Sequence, residues 1–208
     1  MPTIYKNNKD KEIFNPFGPP LGYYKLPKDV VDYLNNSMNE KLEDFSNFLV
    51  GKVSEELKFD KEITNYIGSK IVDFAIEYHN DAVSRNNFGD QGETNPRLKI
   101  NAGWFVRQFN GEYNPNHFHS GCTLSSVGYL SLPDGIEKEW EEDYKDHHPS
   151  HGHINFTYGT HTQYNISSIM IKPQIGDFYI FPASLYHCVY PFFTPGERRS
   201  FSINMTVL

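Results

Sequence analysis

The sequence predicts an α+β fold in which helices come first and a jelly-roll-like β core follows from about residue 98. Between Lys28 and about Arg85, apolar residues recur at helical spacing. After the segment GDQGETNPR, the chain changes to short runs rich in β-branched and aromatic residues, separated by Gly, Pro and Asn. Short strands with regular turn signals are typical of an antiparallel sandwich or barrel.

The composition limits the kinds of partner that we expect. A chain of 208 residues with a net charge of −7 can bury a substantial core, and the charge argues against nucleic acid or an anionic membrane as its main partner. No apolar run approaches the roughly 18 residues of a membrane helix, and the N-terminus lacks a signal-peptide pattern. Cys122 and Cys188 are too few for a disulfide framework. We therefore expect a soluble, cytoplasmic protein that binds neither nucleic acid nor membrane.

Residues 1–97 are predicted to form an N-terminal arm and supporting helices. The first 27 residues are rich in Pro, Gly, Asn and Tyr, which is typical of irregular chain. Pro27 and Asp29 mark a helix start. Two apolar faces follow at helical spacing: Val30, Val31, Leu34 and Met38, then Ile67, Ile71, Phe74, Ala75 and Tyr78.

Residues 98–208 are predicted to form the β core, within one structural domain overall. The candidate strands, in chain order, lie in LKINAGWFVRQF, TLSSVGYLSL, GHINFTY, SSIMIKP, GDFYIFP, HCVYPFF and RSFSINMTVL. The run Phe178–Phe181 is almost wholly apolar, as a buried strand should be. Trp104 and Gln108 in the first run are candidates for a substrate-facing surface, while core packing and a surface amide are their simpler interpretations.

One segment interrupts the β core. Residues 137–146, EKEWEEDYKD, carry six acids and two lysines, and HHPSHGH follows. A solvated loop that joins two strands is the simplest interpretation. A metal site formed by His147, His148, His151 and His153 is one alternative, and a mobile lid over a site on the sandwich is the other.

Two histidines stand one residue apart in NPNHFHSGCTLSS, residues 114–126. On a strand, residues i and i+2 face the same side, so His117 and His119 would converge. Two imidazoles placed in this way can both bind one borderline metal ion. An H-x-H pair is weak evidence by itself, because two polar residues on one face of a strand give the same pattern.

A third histidine supplies what such a metal site would need. His187 follows the apolar run Phe178–Phe181 and a Pro-containing turn. A lone histidine in apolar surroundings is more often a core residue. Together with the upstream pair, however, His187 would complete a site with three protein ligands on one face of the metal.

A polar strand face follows near the C-terminus. Alternation in GERRSFSINMTVL places one set of side chains opposite Arg199, Phe201 and Ile203, namely Arg198, Ser200, Ser202 and Asn204. Such a face fits a polar cavity, where an arginine can bind a carboxylate through two charge-assisted hydrogen bonds and a nearby hydroxyl can add a third. The alternative is that both arginines are surface charges after a TPGE turn.

Together these elements resemble the iron(II)/2-oxoglutarate-dependent oxygenases over residues 98–208. The family signature has a proximal His-x-Asp/Glu, a distal His and an Arg about ten residues beyond, here His117-x-His119, His187 and Arg198. A closer resemblance is to a subgroup with an H-x-H proximal motif. Its pattern is matched by Asn114, His117, His119, Cys122, Ser125, Val127, Tyr129, Leu130, Gly152, Ile154, Phe156, Phe181, Pro182, His187, Val189, Pro191, Arg198, Ser200, Ser202 and Asn204.

The resemblance implies a double-stranded β-helix, a jelly-roll and cupin-like core, with the N-terminal helices packed on one sheet. It also implies a 2-oxoglutarate-dependent dioxygenase that hydroxylates a C–H bond while 2-oxoglutarate is oxidatively decarboxylated. Iron(II) would be held by His117, His119 and His187. The cosubstrate would chelate the metal.

The resemblance also implies which residues bind the other end of 2-oxoglutarate. Its distal carboxylate would be bound by Arg198 and Ser200, with Tyr129 as a further hydrogen-bond donor. Arg198 is for this reason counted with the three histidines as a catalytic residue. A small-molecule or peptidyl substrate is compatible with these residues, and the sequence favours neither.

The sequence departs from the commoner family pattern at position 119, where a histidine replaces the expected carboxylate. His119 can be a ligand, or it can lie in the second shell of a site completed by water. A shift of register would instead make His119 the first ligand and put Gly121 in the carboxylate position. Three neutral imidazoles would leave the iron site one negative charge short, which should alter its affinity and redox behaviour.

Two alternatives belong to other functional classes. A cupin-type metal enzyme without 2-oxoglutarate would share the barrel, and Gly176, Pro182 and His187 are spaced nearly as in the second cupin motif. The first cupin motif requires a glutamate where Thr123 and Leu124 stand, however. A non-catalytic jelly-roll binding module would use its histidines structurally and would give Arg198 no ligand.

Overall fold

The structure is a computed structural model that describes residues 11–14, 18–86, 96–141 and 150–208. The elements in these ranges are β1 (Lys11–Phe14), β2 (Leu21–Lys25), α1 (Lys28–Ser37), a 3-10 turn (Ser46–Phe48), β3 (Glu55–Lys58), α2 (Lys61–Asn86), β4 (Leu98–Gln108), β5 (Asn114–His117), β6 (Leu124–Ser131), α3 (Glu137–Glu141), β7 (Ile154–Thr157), β8 (Ser168–Ile171), β9 (Asp177–Pro182), β10 (Tyr186–Val189) and β11 (Arg198–Val207). Strands predominate after residue 98, as the sequence predicts.

Two antiparallel β-sheets face one another and form the jelly-roll core. The larger sheet has the order β1-β2-β9-β6-β11-β4-β3, and the smaller sheet has the order β5-β10-β7-β8. Buried side chains from both sheets meet between them, including Tyr129 and Phe181 from the larger sheet and Phe156 and Val189 from the smaller one. The prediction of an α+β fold with a double-stranded β-helix core is confirmed.

Two helices cover the outer face of the larger sheet. Val31 of α1 and Ile67 of α2 lie in one buried cluster with Phe105, Phe178 and Phe201 of the sheet. Burying each of these large side chains contributes about 1.5–3 kcal/mol, which explains the apolar faces that the sequence repeats at helical spacing. No helix within the described ranges is long and apolar enough to cross a membrane.

The region predicted as helical, Lys28 to about Arg85, contains α1 and α2, but it also contains β3, which was not predicted. α1 ends at Ser37, and Met38 already has extended backbone. β3 then forms backbone hydrogen bonds along the edge of β4, with Glu56 opposite Val106. Pairing with a distant strand outweighs the weak local preference of this short stretch.

The predicted N-terminal arm contains part of the larger sheet. β1 pairs with β2, and β2 pairs with β9. Where β2 ends, the backbone N–H of Leu26 donates to the Gly176 carbonyl at 2.8 Å. Together with β3, residues 1–97 therefore supply three strands that the sequence reading assigned to an arm and helices. The division into residues 1–97 and 98–208 stays a prediction.

The described part of the acidic segment is folded onto the end of the core. Glu139 of α3 is buried, and its carboxylate accepts a hydrogen bond from the Phe193 N–H at 2.9 Å and others from Thr194. His151 Nδ1 lies 2.6 Å from the same carboxylate. A freely solvated loop is therefore the wrong description of residues 137–141. Residues 142–149, with His147 and His148, lie outside the described residues.

Gly128 of β6 provides a test of how tightly the helix-covered core is packed. A Cβ atom at this position would overlap the ring of Phe201, the residue of β11 that pairs with Gly128. We expect Gly128→Ala to lower the free energy of unfolding by about 1–3 kcal/mol, measured by urea denaturation. Phe201→Leu, which makes room for the new methyl group, is the matched second substitution.

If the overlap is the cause, the double variant will lose less stability than the sum of the two single variants. Strict additivity of the two losses would contradict this description of the packing.

Candidate active site

A cavity of about 240 Å³ lies between the two sheets. Its wall on the larger sheet carries the polar face predicted for β11, namely Arg198, Ser200, Ser202 and Asn204. Trp104 of β4 lines the same cavity, and His117 and His187 line it from the smaller sheet. The alternation along β11 therefore places its polar side chains in a shared interior space, as the sequence predicts.

The three predicted histidines converge in this cavity. Their potential ligand atoms all lie within 4.8 Å of one another. His117 ends β5 and is paired directly with His187 of β10. His119 lies beyond the end of β5, where its backbone N–H donates to the Ala183 carbonyl at 2.8 Å. The strand alternation invoked for His119 is therefore wrong, although its ring does join the other two.

Each histidine has its Nδ1 atom engaged by a neighbouring group. The Nδ1–H groups of His117 and His187 donate to the Pro115 and Leu185 carbonyls at 2.7 and 2.9 Å. The Nδ1 atom of His119 lies 3.4 Å from the side-chain amide of Asn204. The carbonyl acceptors keep the proton on Nδ1 of His117 and His187, which leaves Nε2 of these two rings as the metal-binding atom. The Asn204 amide beside His119 is a donor, so it orients that ring without placing a proton on Nδ1.

Burial keeps the three imidazoles neutral. Burial first and then the neighbouring His117 lower the pKa of His187 to about 3. Burial and then His117 lower the pKa of His119 to about 4, and burial also lowers the pKa of His117. Neutral imidazole is the form that binds metal, and three such donors suit a borderline divalent ion. The residues present therefore fit an ion of this class.

The histidine cluster includes His119 and lacks a carboxylate. Among the residues that the structure describes, no aspartate or glutamate lies with the three rings. Inclusion of His119 favours direct ligation over a place in the second shell. Gly121, the position that a shifted register would use, offers no side-chain donor at all.

The guanidinium of Arg198 is buried in the same cavity with unused donors. Its Nη1 donates to Gln108 Oε1 at 3.1 Å and lies 3.4 Å from Ser200 Oγ, and its carbon lies 5.0 Å from the centre of the Tyr129 ring. Arg198 Nε and Nη2 and the Tyr129 hydroxyl form no hydrogen bond with the described residues. Buried donors without partners are costly, so this pocket fits a carboxylate.

Gln108 lies neither on a substrate-facing surface nor at the protein surface, because its side chain is buried. It does not line the cavity, and its side-chain NH₂ donates to the carbonyls of Glu112 at 2.6 Å and Tyr190 at 3.3 Å. Those bonds turn its amide oxygen toward Arg198. Gln108 therefore positions the arginine, whereas Trp104 is the residue of this strand that lines the cavity.

Sequence reasoning missed the contribution of the N-terminal segment to the cavity. Glu56 of β3 is 2% exposed and lines it, together with apolar residues just before β3 such as Phe45. Burial and then Asp44 raise the pKa of Glu56 to about 7. Adjacent Glu55 points outward and pairs with Arg107 at 2.7 Å. No local signal distinguishes the two glutamates until the register of β3 on β4 is known.

A comparison with protein families gives one match in this chain. Residues 102–204 match the family described as "Putative 2OG-Fe(II) oxygenase". The matched range contains the three histidines and Arg198. No curated protein sequence matches the chain.

Several solved structures share the fold. A prolyl-4-hydroxylase from Pseudomonas putida superposes with a TM-score of 0.54 at 15% identity, covering 96% of this chain and 93% of that chain. HygX from Streptomyces hygroscopicus, solved with nickel, 2-oxoglutarate and hygromycin B bound, gives 0.58 at 11% identity, covering 93% and 84%. A prolyl hydroxylase from Trichoplax adhaerens, in complex with a peptide fragment of the hypoxia inducible factor oxygen degradation domain, gives 0.50 at 14% identity, covering 96% and 84%. At these identities the likeness shows the fold.

The role of His119 can be tested by metal binding alone. We expect His119→Ala to weaken Zn(II) binding by more than about 100-fold, because even partners outside the ligand set typically change metal affinity 10- to 100-fold. Calorimetric titration of the protein with Zn(II) measures this. His161→Ala, which removes an exposed histidine remote from the cluster, is the control. A loss of about 100-fold or less would place His119 outside the ligand set.

Proposed function

Since the chain belongs to the iron(II)- and 2-oxoglutarate-dependent oxygenase superfamily, we propose that His117, His119 and His187 hold its iron and that Arg198 binds the distal carboxylate of 2-oxoglutarate. The protein is a 2-oxoglutarate-dependent dioxygenase, an oxidoreductase with iron(II) and 2-oxoglutarate as cofactor and cosubstrate. The proposed outcome is hydroxylation of a C–H bond. One observation carries the assignment, namely that a buried arginine with two unused donors shares a cavity with three neutral histidines.

The proposed role of the three histidines is to present imidazole nitrogens to the metal in a fixed arrangement. When bound, iron(II) and 2-oxoglutarate supply the oxidising chemistry, in which dioxygen is consumed, carbon dioxide is released and one oxygen atom enters the substrate. Backbone carbonyls fix the rings of His117 and His187, so metal binding does not have to order them. Because the three imidazoles are neutral, the carboxylate of the cosubstrate would bring negative charge to the metal.

Arg198 orients the cosubstrate through its free nitrogens. Nε and Nη2 can both donate to one carboxylate in the bidentate geometry that guanidinium favours. Burial raises the pKa of Tyr129 to about 12, so its hydroxyl stays protonated and can donate as well. Ser200 supplies a further hydroxyl beside the guanidinium. The amide oxygen of Gln108 accepts a hydrogen bond from Arg198 Nη1 and so positions the guanidinium.

The cavity walls exclude water from the reacting centre. Trp104 stands 5.8 Å from the ring of His119, between centroids, and Phe181 stands 4.9 Å from the ring of His187. Apolar side chains against the metal ligands limit water there, which strengthens charge interactions and protects reactive species. Trp104 is proposed to contact the substrate.

The substrate is proposed to be a small molecule or a peptidyl residue. Among the proteins of similar fold, one is in complex with a peptide fragment and another holds hygromycin B. We propose no nucleic-acid partner and no membrane association, in keeping with the net charge of −7. A cytoplasmic location is proposed because Cys122 and Cys188 are both free thiols.

Binding of 2-oxoglutarate tests the role of Arg198. We expect Arg198→Ala to weaken its affinity by about 10- to 100-fold, because each hydrogen bond to a charged group is worth about 1.5–3 kcal/mol. Calorimetry on the anaerobic iron(II) protein gives the affinity, and the visible charge-transfer absorption of the complex reports chelation of the metal. The matched control is Arg199→Ala, because Arg199 lies on the opposite face of β11 and pairs with Glu197 at 2.7 Å.

An iron-loaded protein that binds no 2-oxoglutarate would favour the cupin alternative. Equal affinities in Arg198→Ala and wild type would remove Arg198 from the proposed site.

A further inference from the structure

The cavity extends beyond the proposed oxygenase centre to the edges of both sheets. It runs from β11 across β4 to β3, which ends the order of the larger sheet, and β5 ends the order of the smaller one. Residues 45–51, here called the edge strap, close the space between these edges. The strap is anchored at both ends, by the Phe45 N–H bonded to the Glu56 carbonyl at 2.7 Å and by Lys52 N–H bonded to the Tyr113 carbonyl at 2.9 Å.

Two buried oxygen atoms beneath the strap have no donor. Glu56 Oε2 from β3 and Asn114 Oδ1 from β5 are buried and form no hydrogen bond with any described residue. Both head groups approach Gly51 of the strap. A Cβ atom there would overlap Asn114 Oδ1 and would lie 3.0 Å from Glu56 Oε1. The two sheets thus bring a carboxylate and an amide oxygen to one point of the cavity wall.

No described cation neutralises Glu56. Lys58, two residues further along β3, pairs instead with Glu43 at 3.1 Å near the surface. Asp44 is close enough to act as a like charge and, after burial, is the second cause of the raised pKa of Glu56. A buried carboxylate with a like charge nearby and an unpaired oxygen is costly to the free protein. Such a group is explained if a ligand brings the missing positive charge.

The remaining walls at this end suit an organic cation. Phe45 and Trp104 line the cavity beside Glu56, with their ring centroids 5.8 Å apart. Aromatic rings next to a carboxylate form a favourable environment for an ammonium group attached to an apolar body. Phe48 of the strap is 73% exposed and lines the mouth of the cavity. Apolar surface at the mouth and charge inside together favour an amphipathic ligand.

We propose that Glu56 and Asn114 form the substrate-recognition end of the active site and bind a protonated amino group of the substrate. The proposal rests on the proposed function, in that it takes the β11 side of the cavity, two strands away from β3, to be occupied by 2-oxoglutarate at Arg198. The substrate class is therefore a primary amine, whose ammonium contacts Glu56 and whose apolar part lies against Phe45 and Trp104. A free amine and a lysine side chain share this chemistry.

The test compares benzylamine with benzyl alcohol, which have the same ring and nearly the same length but differ in charge. Each is titrated by calorimetry into the anaerobic protein loaded with iron(II) and 2-oxoglutarate. We expect benzylamine to bind at least about tenfold more tightly than the alcohol, because the amine adds a charge-assisted hydrogen bond. Glu56→Gln should abolish that preference and leave the affinity for the alcohol unchanged. Nα-acetyl-lysine amide, titrated in parallel, distinguishes a peptidyl from a free amine.

The matched control is Glu43→Gln, which removes an exposed carboxylate outside the cavity. It should keep the full preference for the amine. Equal affinity of wild type for the two probes would overturn the proposal, and this comparison needs no variant to fold. A preference for benzylamine that persists in Glu56→Gln would overturn it equally.

Titration with 2-oxoglutarate on the same preparations separates this proposal from the proposed function. Normal cosubstrate binding without discrimination between the probes refutes only the amine site. If 2-oxoglutarate fails to bind while Glu56 still discriminates, the amine site stands and the assignment of Arg198 is lost. Thermal unfolding supplies a second measurement, in which Glu56→Gln should melt no lower than wild type because it removes an uncompensated buried charge.

Discussion

Strand β11 has one apolar face and one polar face, and the layers on its two sides match them. Phe201 and Ile203 point to the helix-covered side and lie in its buried cluster, while Arg198 and Ser202 point into the cavity between the sheets. Because successive side chains of a strand face opposite sides, no rotation of β11 could bury one set without the other. The helices cover the apolar face, and the polar face lines the cavity.

Several buried polar atoms that line or adjoin the cavity have no hydrogen-bond partner, and they suit the cavity to binding a ligand. Arg198, Tyr129, Glu56 and Asn114 each keep at least one buried atom without a hydrogen-bond partner in the described chain. Each such atom lowers stability by about 1–3 kcal/mol relative to a satisfied one. Proteins tolerate this cost at functional sites, where a ligand supplies the partner. The atoms without partners are donors around Arg198 and two acceptor oxygens, one from Glu56 and one from Asn114.

The three-histidine cluster is rigid because of contacts outside the cavity. Backbone carbonyls hold two of the rings, and pairing of β5 with β10 sets His117 opposite His187. The carboxylate that the commoner pattern places at position 119 is absent, so the proposed metal ligands carry no charge of their own. The buried carboxylate that does line the cavity belongs to Glu56, on the far edge strand. Charged groups in this cavity thus come from β11 and from β3, two strands away in the sheet.

Local sequence determined the strand alternation and the helical faces, and with them the polar face of β11 and the three histidines as candidate ligands. Tertiary structure alone decided that His119 reaches the cluster from a loop and that Gln108 positions Arg198. It also decided that Glu56 lines the cavity while Glu55 pairs with Arg107 outside it. The physical reason is the range of the interactions. Alternation and helical period act over a few residues, whereas the pairing of β3 with β4 and of β2 with β9 joins segments far apart in the chain. Only that pairing fixes which side chains share a cavity.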